Sequence, residues 1–298
     1  MESTPMKVMI AYDGSKYADA AIEDLSRAGF PADSEVLVVS VADFSDRRPT
    51  ASEFDLISAA SRRVDAVIAQ ARQHEARVLR ETRVMGSKVV HKLRKEFPTW
   101  KVYSEVLRGA PAEVLLQKAA EWQPDIVMGG SQGRSAIGRF FLGSVSKSVA
   151  EQASTTVRVV RTGDAKTPSD PLEIIVGAKH PAEVERIVDH LAGRTWPADT
   201  RIRLVAITED SLPGKRLTFY ADGKSVLEHA AERLAADGAR VSVQIETGEP
   251  ATILLDAAKA WRANAIYVVA GNSSSEHYLE EAASNLITTA KCTVEIVR

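Results

Sequence analysis

The sequence predicts an α/β fold built as two tandem doubly wound parallel sheets of five strands each, and three observations carry that prediction. The chain has 298 residues, more than the roughly 100 to 200 of a usual single domain. Short apolar runs alternate with stretches of helical period, an order that implies right-handed βαβ crossovers and helices over both sheet faces. The unit also repeats. Lys7 to Ala11 returns as Glu173 to Gly177, and Arg108-Gly109-Ala110-Pro111-Ala112 returns as Thr247-Gly248-Glu249-Pro250-Ala251. Pro111 and Trp122 keep the same spacing as Pro250 and Trp261, and each copy closes on an alternating strand.

Taken in order, the first copy places strands over residues 7–11, 35–41, 101–107, 125–129 and 156–161, and the second over 173–177, 201–207, 239–245, 265–269 and 293–297. These runs are apolar enough for strands buried on both faces. The first helix is expected from about Lys16 to Ala28 with Ser15 as its N-cap. Pro111 suits the first turn of the helix that ends near Trp122. Residues 52–96 form one long stretch of helical composition, in which Met85-Gly86-Ser87 is a candidate break or kink. Gly, Pro, Asp and Ser crowd together over 162–171, so the boundary is set there, with domains at 1–165 and 166–298. The first carries a charge of +2 and the second −4.

Composition excludes several classes of function. The net charge of −2 provides no global attraction for nucleic acid or anionic lipid. Cys292 is the sole cysteine, so no internal disulfide or thiolate metal cage can form, and a reducing compartment is expected. The polar start from Met1 to Pro5 does not read as a signal peptide, and no apolar run approaches a membrane span, so a soluble cytoplasmic protein is expected. There is no GxxxxGK(S/T), no strand-coupled GxGxxG and no HExxH. No nucleophile, base and orienting acid fall into a recognisable arrangement, so no catalytic residue is assigned.

The most specific feature is Gly130-Ser131-Gln132-Gly133 followed, after nine residues, by Gly143-Ser144, directly behind a predicted buried strand. Gly130 and Gly133 are read as letting the backbone turn its amides toward an anion. Gly143 admits close approach. Ser144, Val145 and Ser146 open a helix whose N-terminus favours phosphate. Arg134 and Arg139 lie in the excursion and either add charge or are solvated. Tyr12-Asp13 follows the first strand, at the edge where open parallel sheets bind ligands. Asp13 could bind a base or sugar hydroxyl or assist a metal, or could only bond neighbouring loop amides. Val41 could present backbone groups to a base edge or be a core valine.

These residues resemble the universal stress protein family, whose nucleotide-binding members carry GxxGx9G(S/T) after the fourth strand and an Asp after the first. The first copy matches through Asp13, Gly130, Gly133, Gly143 and Ser144, and the repeat extends the likeness to a tandem protein. The resemblance implies a Rossmann-like fold and ATP binding, with or without Mg2+. The implied contacts are Tyr12, Asp13, Val41, Gly130, Gln132, Gly133, Gly143, Ser144 and Val145. It further implies a stress or metabolic regulator with at most slow hydrolysis, and a pseudo-dimer within the chain formed through the last strand of each copy. A first copy on its own is then expected to self-associate.

The second copy departs from the motif. Lys179 and His180-Pro181 replace Asp13 and Gly14-Ser15, Ala270-Gly271-Asn272-Ser273 replaces the glycine turn, and Glu280 and Glu281 stand where Gly143 and Ser144 would be. Acids there repel phosphate, so no equivalent nucleotide site is expected. His180 and His277 are read as surface residues. The rival reading is a nucleotide-independent interaction protein using the basic segment 60–95, where ten Lys and Arg meet three Asp and Glu; the plainer alternative for that segment is a solvated helix face.

Overall fold

The computed structural model describes residues 5–44, 61–132, 142–162, 171–208, 223–236, 238–271 and 281–298. Gly133, Arg134, Arg139, His277, Glu280 and most of the linker lie outside the described residues.

The first half of the chain runs β1 (Lys7–Ala11), α1 (Lys16–Asp24), β2 (Glu35–Ala42), α2 (Ser61–Glu96), β3 (Lys101–Arg108), α3 (Pro111–Trp122), β4 (Ile126–Gly130), α4 (Ser144–Gln152) and β5 (Thr156–Val160). The second half runs β6 (Glu173–Ala178), α5 (Pro181–Leu191), β7 (Arg201–Thr208), α6 (Gly223–Ala236), β8 (Arg240–Thr247), α7 (Pro250–Trp261), β9 (Ala265–Val269), α8 (Glu281–Thr289) and β10 (Thr293–Val297). Ser15 caps α1, its hydroxyl accepting from the amide of Ala18 at 3.1 Å. α1 is shorter than expected, passing at Leu25 into a 3-10 turn. Pro111 and Pro250 open α3 and α7, and both helices end on a left-handed non-glycine residue, Gln123 at φ 48° and Arg262 at φ 52°. α2 continues through Met85-Gly86-Ser87 without the anticipated break. Gly86 faces Ser104 of β3, where an added Cβ would make an ordinary contact at 3.5 Å.

The two five-stranded units join edge to edge as one ten-stranded sheet, ordered β3-β2-β1-β4-β5-β10-β9-β6-β7-β8. Within each half the pairing is parallel, as crossover helices require. The halves join where β5 and β10 run antiparallel, with Val159 opposite Val294, Arg158 opposite Glu295 and Val157 opposite Ile296. On one face of the sheet, α3, α4, α7 and α8 share a core that crosses this junction without interruption, from Met9 and Leu115 to Val157, Ile266 and Ile287. The other face holds two separate cores, one under α1 and α2 and one under α5 and α6. A cluster of buried charges lies between them. Arg158 donates to Asp24 at 2.6 Å, to Tyr267 Oη at 2.9 Å and to Glu295 at 2.5 Å, while Arg194 and His190 also meet Glu295. Arg194 further donates to the carbonyl of Ala28, and Thr195 to that of Gly29, which ties the segment after α5 to the first half.

Candidate functional site

β1 pairs with β2 on one side and β4 on the other, which makes its carboxyl end the switch point in strand order. The register sets Ala11 beside Val39 and Gly129, so Tyr12-Asp13 leaves β1 alongside Ser40-Val41, which still pairs with β3, and Gly130, which still pairs with Val160 of β5. The amide of Tyr12 still donates to the carbonyl of Val39 at 2.9 Å. Asp13 accepts from the amide of Ser15 at 2.9 Å and braces the turn at Gly14, whose φ of 75° needs a glycine. The loop-carboxylate role of Asp13 is thus present. It occupies Oδ1.

Behind β4, the amide of Ser131 donates to the carbonyl of Val160 at 2.8 Å, and the amide of Gly143 donates to the carbonyl of Ser131 at 2.7 Å. The ends of the excursion are therefore clasped together. The hydroxyl of Ser146 donates to the carbonyl of Gly130 at 2.7 Å, fixing the start of α4 against the end of β4. No side chain caps α4 at Gly143, where φ is −65° and ψ is 148°. Ser144 is exposed at the first helical position, and Val145 packs partly against the shared core. A helix start in this state presents amide donors and the positive end of the dipole outward, a setting for an anion.

Two expected contacts have different physical bases from those read in the sequence. Gly130 is not in a left-handed conformation; it is small because α1 crosses it, and an added Cβ would lie 2.4 Å from the carbonyl carbon and oxygen of Tyr17. Tyr12 turns its side chain to the face opposite Val41 and Val145, where its hydroxyl donates to Asp19 at 2.6 Å. Its backbone stands at the edge, but its ring borders a groove of about 340 Å3 walled by Arg80, Val84, Met85 and Lys88 of α2. Gln132 is buried beside Ser131. Gly129 lies 3.5 Å, by its would-be Cβ, from Ala11. Sequence reasoning named Ser131 within the glycine turn and Ser146 only for its amide, and missed the clasp at the Ser131 carbonyl, the Ser146 hydroxyl bond to Gly130, and the parts of Tyr17 and Val39.

The corresponding edge of the second half is built differently. An added Cβ at Gly177 would meet the Leu254 methyls at 2.5 and 2.6 Å, so Leu254 fills the space above the strand. The cavity left between Gly177, Lys179, Glu183, Leu254 and Ala282 is about 20 Å3, room for about one water. Glu183 is buried and accepts from the amide of Lys179 at 2.7 Å. Glu249 caps α7, accepting from the amides of Ala251 at 2.9 Å and Thr252 at 2.7 Å, and its bonds from Thr252 and Ala251 hold the carboxyl below its ordinary range. Glu281 begins α8.

Among the described residues, no helix is long and apolar enough to cross a membrane. Nor is there a group of three or more His, Cys, Asp and Glu placed to hold a metal.

Comparison with known proteins gives a consistent picture. The sequence profile described as the universal stress protein family matches residues 5–161. A universal stress protein of Methanocaldococcus jannaschii is 26% identical over 164 residues, covering 54% of this chain and 84% of its own. Another, from Mycolicibacterium smegmatis, is 29% identical over 160 residues, covering 52% of this chain and 46% of its own. Among solved structures, a universal stress protein of Archaeoglobus fulgidus is similar over 98% of both chains, with a TM-score of 0.63 and 17% identity. That similarity establishes the fold over both halves.

Proposed function

The chain belongs to the universal stress protein family, and on that footing we propose that its first half, residues 1–165, binds one adenine nucleotide, ATP in the first instance, at the carboxyl edge of β1, β2 and β4. The observation that carries this reading is the start of α4, which no side chain caps and which opens beside the switch point. Phosphate fits there because backbone amides and the dipole favour an anion and no acid occupies the position. In this reading the Asp13 carboxylate, just past the end of β1, meets sugar hydroxyls or an ion. Mg2+, where present, would be held chiefly by the phosphates with Asp13 as a single carboxylate ligand, a pattern usual for that ion.

In this reading the nucleotide is a signal or a structural ligand. Among the described residues no base is positioned at the edge to activate water, and turnover is expected below about 1 per second. Residues 166–298 serve as a built-in pairing partner for the first half, with the chain acting as a nucleotide-responsive regulator in the cytoplasm. A further protein partner would meet the α2 face, where Arg80, Lys88 and the exposed Val84 surround the groove beside Tyr12.

Calorimetric titration tests the assignment. Gly143→Val places a branched side chain at the start of α4 in a backbone conformation that valine adopts freely. ATP affinity should fall at least about tenfold with the urea midpoint retained; unchanged affinity removes the phosphate site from this turn.

A further inference from the structure

The junction of the two halves contains a selection rule. Thr293 follows Thr156 by 137 positions, and the same offset relates Val157 to Val294, Arg158 to Glu295 and Val159 to Ile296. Because Arg158 lies opposite Glu295 in the antiparallel register, each meets its own counterpart, and the pseudo-two-fold axis of the sheet passes between them. Off the axis, a residue in such an interface meets a different residue, so both copies can keep the same side chain. They do. Arg161 donates to the carbonyls of Ile287 and Thr288 at the end of α8, and its counterpart Arg298 donates to the carbonyl of Ala150, the counterpart of Ile287, at 2.6 Å. On the axis, a residue meets only its equivalent. There the chain carries arginine in one copy and glutamate in the other.

Both groups are buried, Arg158 at 2% exposure and Glu295 at 0%. Burial alone would raise the carboxyl of Glu295, but the Arg194 and Arg158 guanidiniums outweigh it and hold the group well below the ordinary range. Asp24 on the side of the first half and Arg194 on that of the second complete two positive and two negative charges. A first half facing a second copy of itself would bury guanidinium against guanidinium, and a second half facing its own copy would bury carboxylate against carboxylate. Asp24 or Arg194 would still balance the total charge in either self-pairing, so what the wrong pairing loses is the ion pair across the axis, replaced there by a like-charge contact.

We propose that Arg158 and Glu295 select the partner of the junction strand: β5 accepts a strand with an acid at its centre and rejects another copy of itself. This revises the expectation that a first half on its own self-associates through β5. It is independent of the nucleotide reading.

The test uses two full-length variants. R158E with D24N carries acid on both junction strands, and E295R with R194M carries base on both, the second substitution in each removing the like charge that would otherwise crowd the new side chain. Each variant alone should lose the internal junction and show raised protease sensitivity. Refolded together, they should form a 1:1 dimer in sedimentation velocity, in which each β5 pairs with the β10 of the other chain, at least about tenfold more abundant than in either variant alone. A mixture with no dimer, or a dimer formed equally by one variant, overturns the proposal.

Discussion

The two carboxyl edges are one design carried in opposite electrostatic directions. On the face shared across the junction, α4 follows Gly143 with no side-chain cap and no acid in its first turn, and α3 follows Ala110, which cannot cap it, with Glu113 in its first turn, whereas α7 is capped by Glu249 and α8 has Glu281 as its first residue. An acid at a helix start adds about 0.3–1 kcal/mol through the dipole, so the second edge is better stabilised as protein and less suited to an anion. Leu254 over Gly177 completes the change from cleft to core. The comparison teaches that, if the first edge is the nucleotide site proposed above, its duplicate has lost that chemistry through substitutions that each favour folding.

The largest effect expected from breaking the difference between the halves lies on the axis. Glu295→Ala leaves Arg158 and Arg194 buried without their shared acid and should cost about 3–5 kcal/mol in urea unfolding. The pH dependence has a definite sign. The folded-state pKa of Glu295 is depressed, so its contribution is complete above the ordinary carboxylate value of about 4.3 and is lost as pH falls below it. Glu295→Gln should flatten that acid limb.

Next in size come two glycines, one at each edge. Gly130→Ala drives a Cβ into the backbone of Tyr17 and should cost about 3 kcal/mol. Gly177→Ala meets the mobile methyls of Leu254 and should cost about 1–2 kcal/mol. Equal losses would show that the first edge is no more rigid than the second.

A smaller effect comes from importing the charge of Glu281. Ser144→Glu should weaken ATP binding by at least about tenfold while leaving the thermal midpoint equal or slightly raised, measured by calorimetry and melting on the same sample. The reverse exchange should do least. Glu281→Ser removes the acid, but a cavity of about 20 Å3 cannot admit a nucleotide, and titration of the variant should show no second site.

The strands and both proline-led helices were legible because their apolar runs and first-turn signals are local, and β1, α3 and α7 fall where those signals place them. The first helix was overextended because periodicity continues through Leu25 while the backbone tightens to a 3-10 turn. The meeting of the two last strands was expected only through the family resemblance, since pairing between residues more than a hundred positions apart leaves no local trace. The same limit hid the role of Gly130, whose neighbour Tyr17 is remote in sequence, whereas the facing of Tyr12 toward Asp19, seven residues on, depends on which side of the sheet the ring takes. Arg158 and Glu295 were visible in the repeat as unlike residues in like positions, but only the register between β5 and β10 makes their opposition meaningful.

The order of β5 and β10 along the chain also matters during synthesis. β10 emerges more than 130 residues after β5, a delay on the order of ten seconds at ordinary elongation rates. Throughout that interval β5 is an open sheet edge among neighbouring nascent chains that display the same edge. On the proposed charge rule, the guanidinium at its centre, held by Asp24 of the same half, would disfavour pairing with another copy of the strand until the acid made later in its own chain arrives. The charge that the finished protein buries would then serve earlier as a guard against entanglement on the polysome.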